Sequence, residues 1–174
     1  MAITFLISIF LLVVIYQDFR YLSISWWVFP CLFILAAIQG VQQIGLLQLA
    51  SMAGINLLFI GLLVLMLTLY FSIKEKKLVN LTNNYLGFGD ILFFIFLALS
   101  FDPLVFFIFF ITSTLIILFF FLLIKLLKFY KTNRVPLAGA MSIVYLLFLL
   151  MSFQLGYNNY EGSFIPQHFL NFYF

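Results

Sequence analysis

Apolar residues run along this chain in long blocks, and short polar interruptions divide them into six. The blocks fall at about 2–16, 24–40, 52–73, 89–101, 104–127 and 136–155. Apolar runs of this kind, with almost no charge inside them, predict membrane-spanning α-helices. The interruptions have the chemistry of helix ends and loops. Gln17-Asp18-Phe19-Arg20-Tyr21 puts two charges after the first block, and Lys74-Glu75-Lys76-Lys77 closes the third. Asn80, Thr82, Asn83 and Asn84 mark a loop before the fourth, and Asp102-Pro103 a turn after it. Pro136 opens the sixth, in the first-turn position that proline favours. The stretch 41–51, with Gln42, Gln43 and Gln48 among apolar neighbours, suits a surface-lying or re-entrant turn. Trp26 and Trp27 suit an aromatic anchor at the start of the second span. The first block has neither the positive leader nor the small-residue cleavage site of a secretory signal, so a retained helix is expected. The tail 156–174 alternates aromatic and polar residues in the manner of an interfacial lid.

Composition narrows the class. Of 174 residues 67% are hydrophobic and 7% charged, against roughly 25% charged in an ordinary soluble domain. A water-soluble fold of this length could not enclose so much apolar surface. The expectation is an all-α membrane protein, 1–174 forming a single polytopic domain of six transmembrane helices. One cysteine, Cys31, rules out an internal disulfide or a multi-thiolate metal site. Cys31 reads as a small apolar filler and the single His168 as an interfacial residue. No metal, no cofactor and no nucleic-acid partner is expected; the lipid bilayer is.

Charge gives orientation. Alternating the six spans sorts the loops into two sets. One holds Arg20, then Lys74, Lys76 and Lys77, then Lys125, Lys128, Lys131 and Arg134, which are all 8 basic residues of the chain. By the positive-inside rule this set faces the cytoplasm, with both termini outside. The expected location is the inner (cytoplasmic) membrane. The same alternation puts Asp18, just after the first span, and Asp90, at the start of the fourth, on one cytoplasmic face at similar depth. Asp102 and Glu161 fall on the other. Asp18 and Asp90 can then meet, provided the first and fourth spans pack together.

Intramembrane acids are costly and point to function. Two carboxylates a few ångströms apart cannot both ionise cheaply, so the pair shares a proton. The ionised member can take a proton from water while the protonated one polarises a carbonyl, as in aspartic proteases. Gly87 and Gly89, just ahead of Asp90, permit φ above zero or a close approach of backbone. That would let an extended substrate segment lie against the loop, or bend the helix start. Taken singly, Asp18 reads as a solvated acid paired with Arg20, and Asp90 as a helix N-terminal cap.

Gly87-Phe88-Gly89-Asp90 matches the GxGD motif of intramembrane aspartyl proteases. With Asp18 after the first span and six spans in all, the chain resembles type IV prepilin peptidases and preflagellin peptidases over nearly its whole length. Asp18-Phe19-Arg20-Tyr21-Leu22-Ser23-Ile24 resembles the first motif of that family, and Val135-Pro136-Leu137-Ala138 its proline start to the last helices. Where the family has Ile-Pro-Asn, this chain has Ile24-Ser25-Trp26. Where a lysine commonly follows the GxGD acid, it has Leu92 and Phe93. The resemblance implies metal-free cleavage of the short basic leader of membrane-anchored, pilin-like precursors at the cytoplasmic boundary, with Asp18 and Asp90 catalytic. The paired-cysteine region of bifunctional members is missing, so methyl transfer and an S-adenosylmethionine site are not expected. The alternative is a non-catalytic or proton-coupled carrier or assembly subunit. Proton flux without peptide cleavage would mark it.

Overall fold

A computed structural model describes residues 2–77, 86–126, 136–155 and 160. The asparagine-rich loop, the basic residues Lys128, Lys131 and Arg134, and Glu161 and His168 in the tail lie outside the described residues. Six helices carry the described chain: α1 (Ala2–Tyr21), α2 (Val28–Ile44), α3 (Leu46–Glu75), α4 (Phe88–Ser100), α5 (Pro103–Leu126) and α6 (Leu137–Leu155). Among the described residues there is no strand. Four helices, α1, α3, α5 and α6, are long and apolar enough to cross a bilayer, whereas α2 and α4 are shorter apolar helices. Backbone groups surrounded by hydrocarbon have no water to bond, so apolar runs close their hydrogen bonds within themselves as helices.

The helix limits depart from the apolar blocks in two places. Residues 17–21 do not interrupt the first helix; α1 runs through them to Tyr21. Both charges are accommodated on the helix. The Arg20 guanidinium donates to the Tyr16 hydroxyl at 2.7 Å and lies over the Tyr16 and Tyr21 rings, while Asp18 turns inward and is only 6% exposed. Among the described residues no salt bridge joins the two. Leu22 then takes a left-handed conformation, φ 51°, and the helix stops. The second departure is at 41–51. The surface-lying or re-entrant turn expected across this stretch is confined to one residue: α2 continues to Ile44, Gly45 at positive φ (82°) redirects the chain, and α3 begins at Leu46.

The shortest helix is the innermost. α4 packs against α2, α3, α5 and α6, and these with α1 close a ring through the α1–α2, α2–α3, α3–α5, α5–α6 and α6–α1 contacts. Phe93, Phe94, Phe96, Leu97 and Ala98 of α4 are all buried. Around its far end Phe96, Phe101, Phe109, Tyr145 and Phe148 meet largely edge to face, with centroids 4.9–6.5 Å apart. Such aromatic pairs add about 0.5–1.5 kcal/mol each beyond area burial. The outward faces of the ring remain apolar; Leu47 and Ile73 of α3 are 89% and 77% exposed. With its 13 residues α4 is only about 20 Å long, against a hydrocarbon core of about 30 Å.

A helix that ends inside a protein must have its last carbonyls satisfied by something other than water. Asn56 of α3, 1% exposed, supplies two donors: its Nδ2 bonds Ala98 O at 3.0 Å and Phe101 O at 2.9 Å. The Tyr160 hydroxyl donates to Leu99 O at 3.0 Å. Burial and the neighbouring Tyr145 push the Tyr160 phenol pKa up, which keeps that donor protonated. Asp102 and Pro103 then start α5, with the Leu104 N–H bonded to Asp102 Oδ2 at 3.2 Å.

Candidate active site

At the other end of α4 the polar groups are acids, and backbone amides hold them. Asp90 lies in the first turn of α4, where a negative charge is favoured by the helix dipole. Its Oδ2 accepts the Gly87 N–H at 3.1 Å, so the side chain caps its own helix. Gly87 has φ −65° and ψ 144°, an extended conformation open to any residue. The positive φ considered for Gly87 and Gly89 is therefore not what these glycines provide; Gly45 is the described glycine that uses it. The reason at Gly87 is space. A Cβ there would stand 3.0 Å from Asp90 Oδ2. At Gly89 a Cβ would stand 3.4 Å from Ile24 Cδ1, ordinary contact with the chain linking α1 to α2. That link is folded back by the Ser25 N–H, which donates to Gln17 Oε1 at 2.8 Å.

Asp90 Oδ1 accepts a second amide, Ala138 N–H, at 3.0 Å. The next residue of the same helix turn, Gly139, donates its N–H to Asp18 Oδ2 at 2.6 Å. Consecutive amides at the start of α6 thus hold one carboxylate from α1 and one from α4. A single residue step of backbone separates the two donors, which keeps the bonded oxygens within about 9 Å of each other. A helix N-terminus suits such a pair because its first N–H groups have no partner within the helix and carry partial positive charge. Ser142 steadies the turn, donating its hydroxyl to Ala138 O at 2.7 Å.

The sequence expectation rests on the first and fourth spans packing together; the main contacts of α1 are with α2 and α6, and those of α4 with α2, α3, α5 and α6. α6 is the bridge. Sequence reasoning gave no role at the acids to Ala138, named only within the Val135–Ala138 resemblance, and did not single out Gly139; the signal it had was a proline with small residues at 138–140 close behind it.

Asp18 is buried and Asp90 half-buried, so the pair is closed on the α1 side and less closed at the mouth of α4. Carboxylates held by consecutive amides are near enough for the charge on one to oppose ionisation of the other. Among the described residues, no group of three or more His, Cys, Asp or Glu side chains gathers in a way that could hold a metal ion. No protein-family model, no curated protein and no solved structure matches this chain.

Proposed function

We propose that this protein is a membrane aspartic endopeptidase that removes the leader from small, membrane-anchored precursors resembling type IV prepilins. The observation that carries the reading is the pair of consecutive amides, Ala138 and Gly139, bonded to Asp90 and Asp18. Sequence-distant acids on separate helices have no structural need to share one helix turn, and placing two of them there is costly. In the proposed reaction a water lies between the acids. The ionised carboxylate takes its proton as the water oxygen bonds to the scissile carbonyl carbon. The protonated carboxyl gives its proton to the carbonyl oxygen. The tetrahedral intermediate collapses with cleavage of the C–N bond, and the leaving nitrogen takes up a proton from the pair.

The proposal extends to topology. It takes six crossings with the fourth shortened, both termini outside, and the acid pair at the cytoplasmic face of the inner membrane. Support for the sidedness comes from the basic residues Lys74, Lys76 and Lys77 at the C-terminal end of α3 and Lys125 at that of α5. With Cys31→Ser as background, Lys76→Cys is expected to react with a membrane-impermeant thiol reagent only from the cytoplasmic side.

The chemistry is tested with purified protein in lipid nanodiscs and a leader-bearing prepilin substrate. The wild type is expected to release the leader, and Asp18→Asn and Asp90→Asn to fail while still inserting into the membrane. Cleavage by either variant at the wild-type rate overturns the reading. So does proton flux through liposomes from a wild type that cuts nothing.

A further inference from the structure

We propose that Gly139 is a positioning residue for the acid pair, its bare Cα and its N–H together setting where the Asp18 carboxylate stands against Asp90; the proposal rests on the endopeptidase reading of that pair. The N–H bond to Asp18 Oδ2, 2.6 Å, is the shorter of the two that α6 makes to the acids. A charge-assisted contact of this kind has a narrow optimum. The space around Gly139 is equally narrow. A Cβ there would lie 3.0 Å from Asp18 Cβ, 3.1 Å from Asp18 Oδ2 and 3.1 Å from Phe19 Cδ2. Asp18 Cβ is fixed to the backbone of α1 and cannot rotate out of the way. An added methyl must therefore either push α1 off α6 or turn the carboxylate away from its amide.

Ala138 makes the contrast within one turn. It also donates its N–H to an acid, and its own methyl is fully buried without loss of that bond. Only the residue facing α1 is stripped of its side chain. Other helical glycines are not under this constraint: a Cβ at Gly54 or Gly61 of α3 would meet nothing within 4 Å. Asp90 is bonded to its own helix through Gly87 as well as to α6, whereas Gly139 is the contact that brings Asp18 to the same turn. Moving the Asp18 carboxylate by even about 1 Å spoils the shared-water geometry, and misplacements of that size cost on the order of a hundredfold in rate.

The test has two arms. In the kinetic arm Gly139→Ala in nanodiscs is expected to lower kcat about a hundredfold with KM within about twofold, while Gly54→Ala cleaves as the wild type does. Gly139→Ala with unchanged kcat, beside inactive Asp18→Asn and Asp90→Asn, overturns the positioning role and leaves the endopeptidase reading standing. Active Asp variants overturn that reading, and the positioning role falls with it. The second arm needs no cleavage. With glycine-selective ¹⁵N labelling the chain gives 9 glycine amides, and the Gly139 signal is the one missing in Gly139→Ala. Its proton is expected far downfield in the wild type and shifted upfield in Asp18→Ala, which removes the acceptor. A Gly139 amide that does not move in Asp18→Ala overturns the proposal even if Gly139→Ala fails to fold.

Discussion

The two ends of α4 solve opposite problems. At its C-terminal end, carbonyl acceptors are left over by the helix, and side chains bring donors to them: Asn56 from α3 and Tyr160 from beyond α6. At its N-terminal end the acids are the acceptors, and backbone brings the donors: Gly87 from α4's own cap, Ala138 and Gly139 from α6. At the first end neutral side chains cap the carbonyls, with Asn56 and Tyr160 buried, and the one acid, Asp102, bonds the Leu104 N–H of its own turn. The second gathers two carboxylates, groups that stay costly to bury even when bonded, and leaves Asp90 partly exposed. On the endopeptidase reading proposed above, one end is structure and the other chemistry. Both use a hydrogen-bond partner to hold a short helix in place, and the difference lies in what is left over once the bonds are made.

Substitutions at the two ends should separate these roles. The largest effect is expected from Asp90→Asn. Its amide group presents an N–H₂ to one of the two backbone N–H donors and removes the charge, so leader cleavage should fall by more than about 10³-fold with the protein still folded. Asn56→Leu should show the reverse pattern. It strands two carbonyls in an apolar setting and should cost about 1–2 kcal/mol in a detergent unfolding assay, with kcat of the folded fraction within about twofold. A large kcat loss there, with stability unchanged, would erase the distinction between the ends. Gly87→Ala crowds Asp90 Oδ2 at 3.0 Å, but that oxygen is the end of a movable side chain. A loss of about tenfold in kcat is expected, smaller than for Gly139→Ala because the backbone need not move. The smallest effect should come from Tyr160→Phe, which deletes one hydroxyl at the C-terminal end and should lower stability by about 0.5–1 kcal/mol without altering cleavage.

Much of the helical content was legible in the apolar blocks, because hydrocarbon surroundings force long apolar runs to satisfy their own backbone. Their limits were less so. A charge pair such as Asp18 and Arg20 reads as a break when only its sequence is considered. Within the fold both are accommodated on a continuous α1, one by an amide of α6 and the other by two tyrosines. The glutamines in 41–51 point to a turn there, but not to its reduction to the single residue Gly45 between α2 and α3. The tail has the pattern of an interfacial lid, but its described residue, Tyr160, reaches into the bundle between Ala36 of α2 and Leu99 of α4.

Asp18 and Asp90 could be singled out from the chain alone, since intramembrane acids are rare and the glycines ahead of Asp90 mark a close approach. Their partners could not. Nothing in local pattern distinguishes Ala138 and Gly139 from other small residues at a helix start, or Asn56 from a polar residue facing lipid. Sequence by itself determined that the apolar runs are helical, though not where each helix ends, and which groups are too polar to be left in lipid. Which helix supplies the donors was decided only in the tertiary structure. The reason is that apolar faces attract one another with little direction, so the choice among neighbours falls to close packing at glycines and to the geometry of a few buried hydrogen bonds.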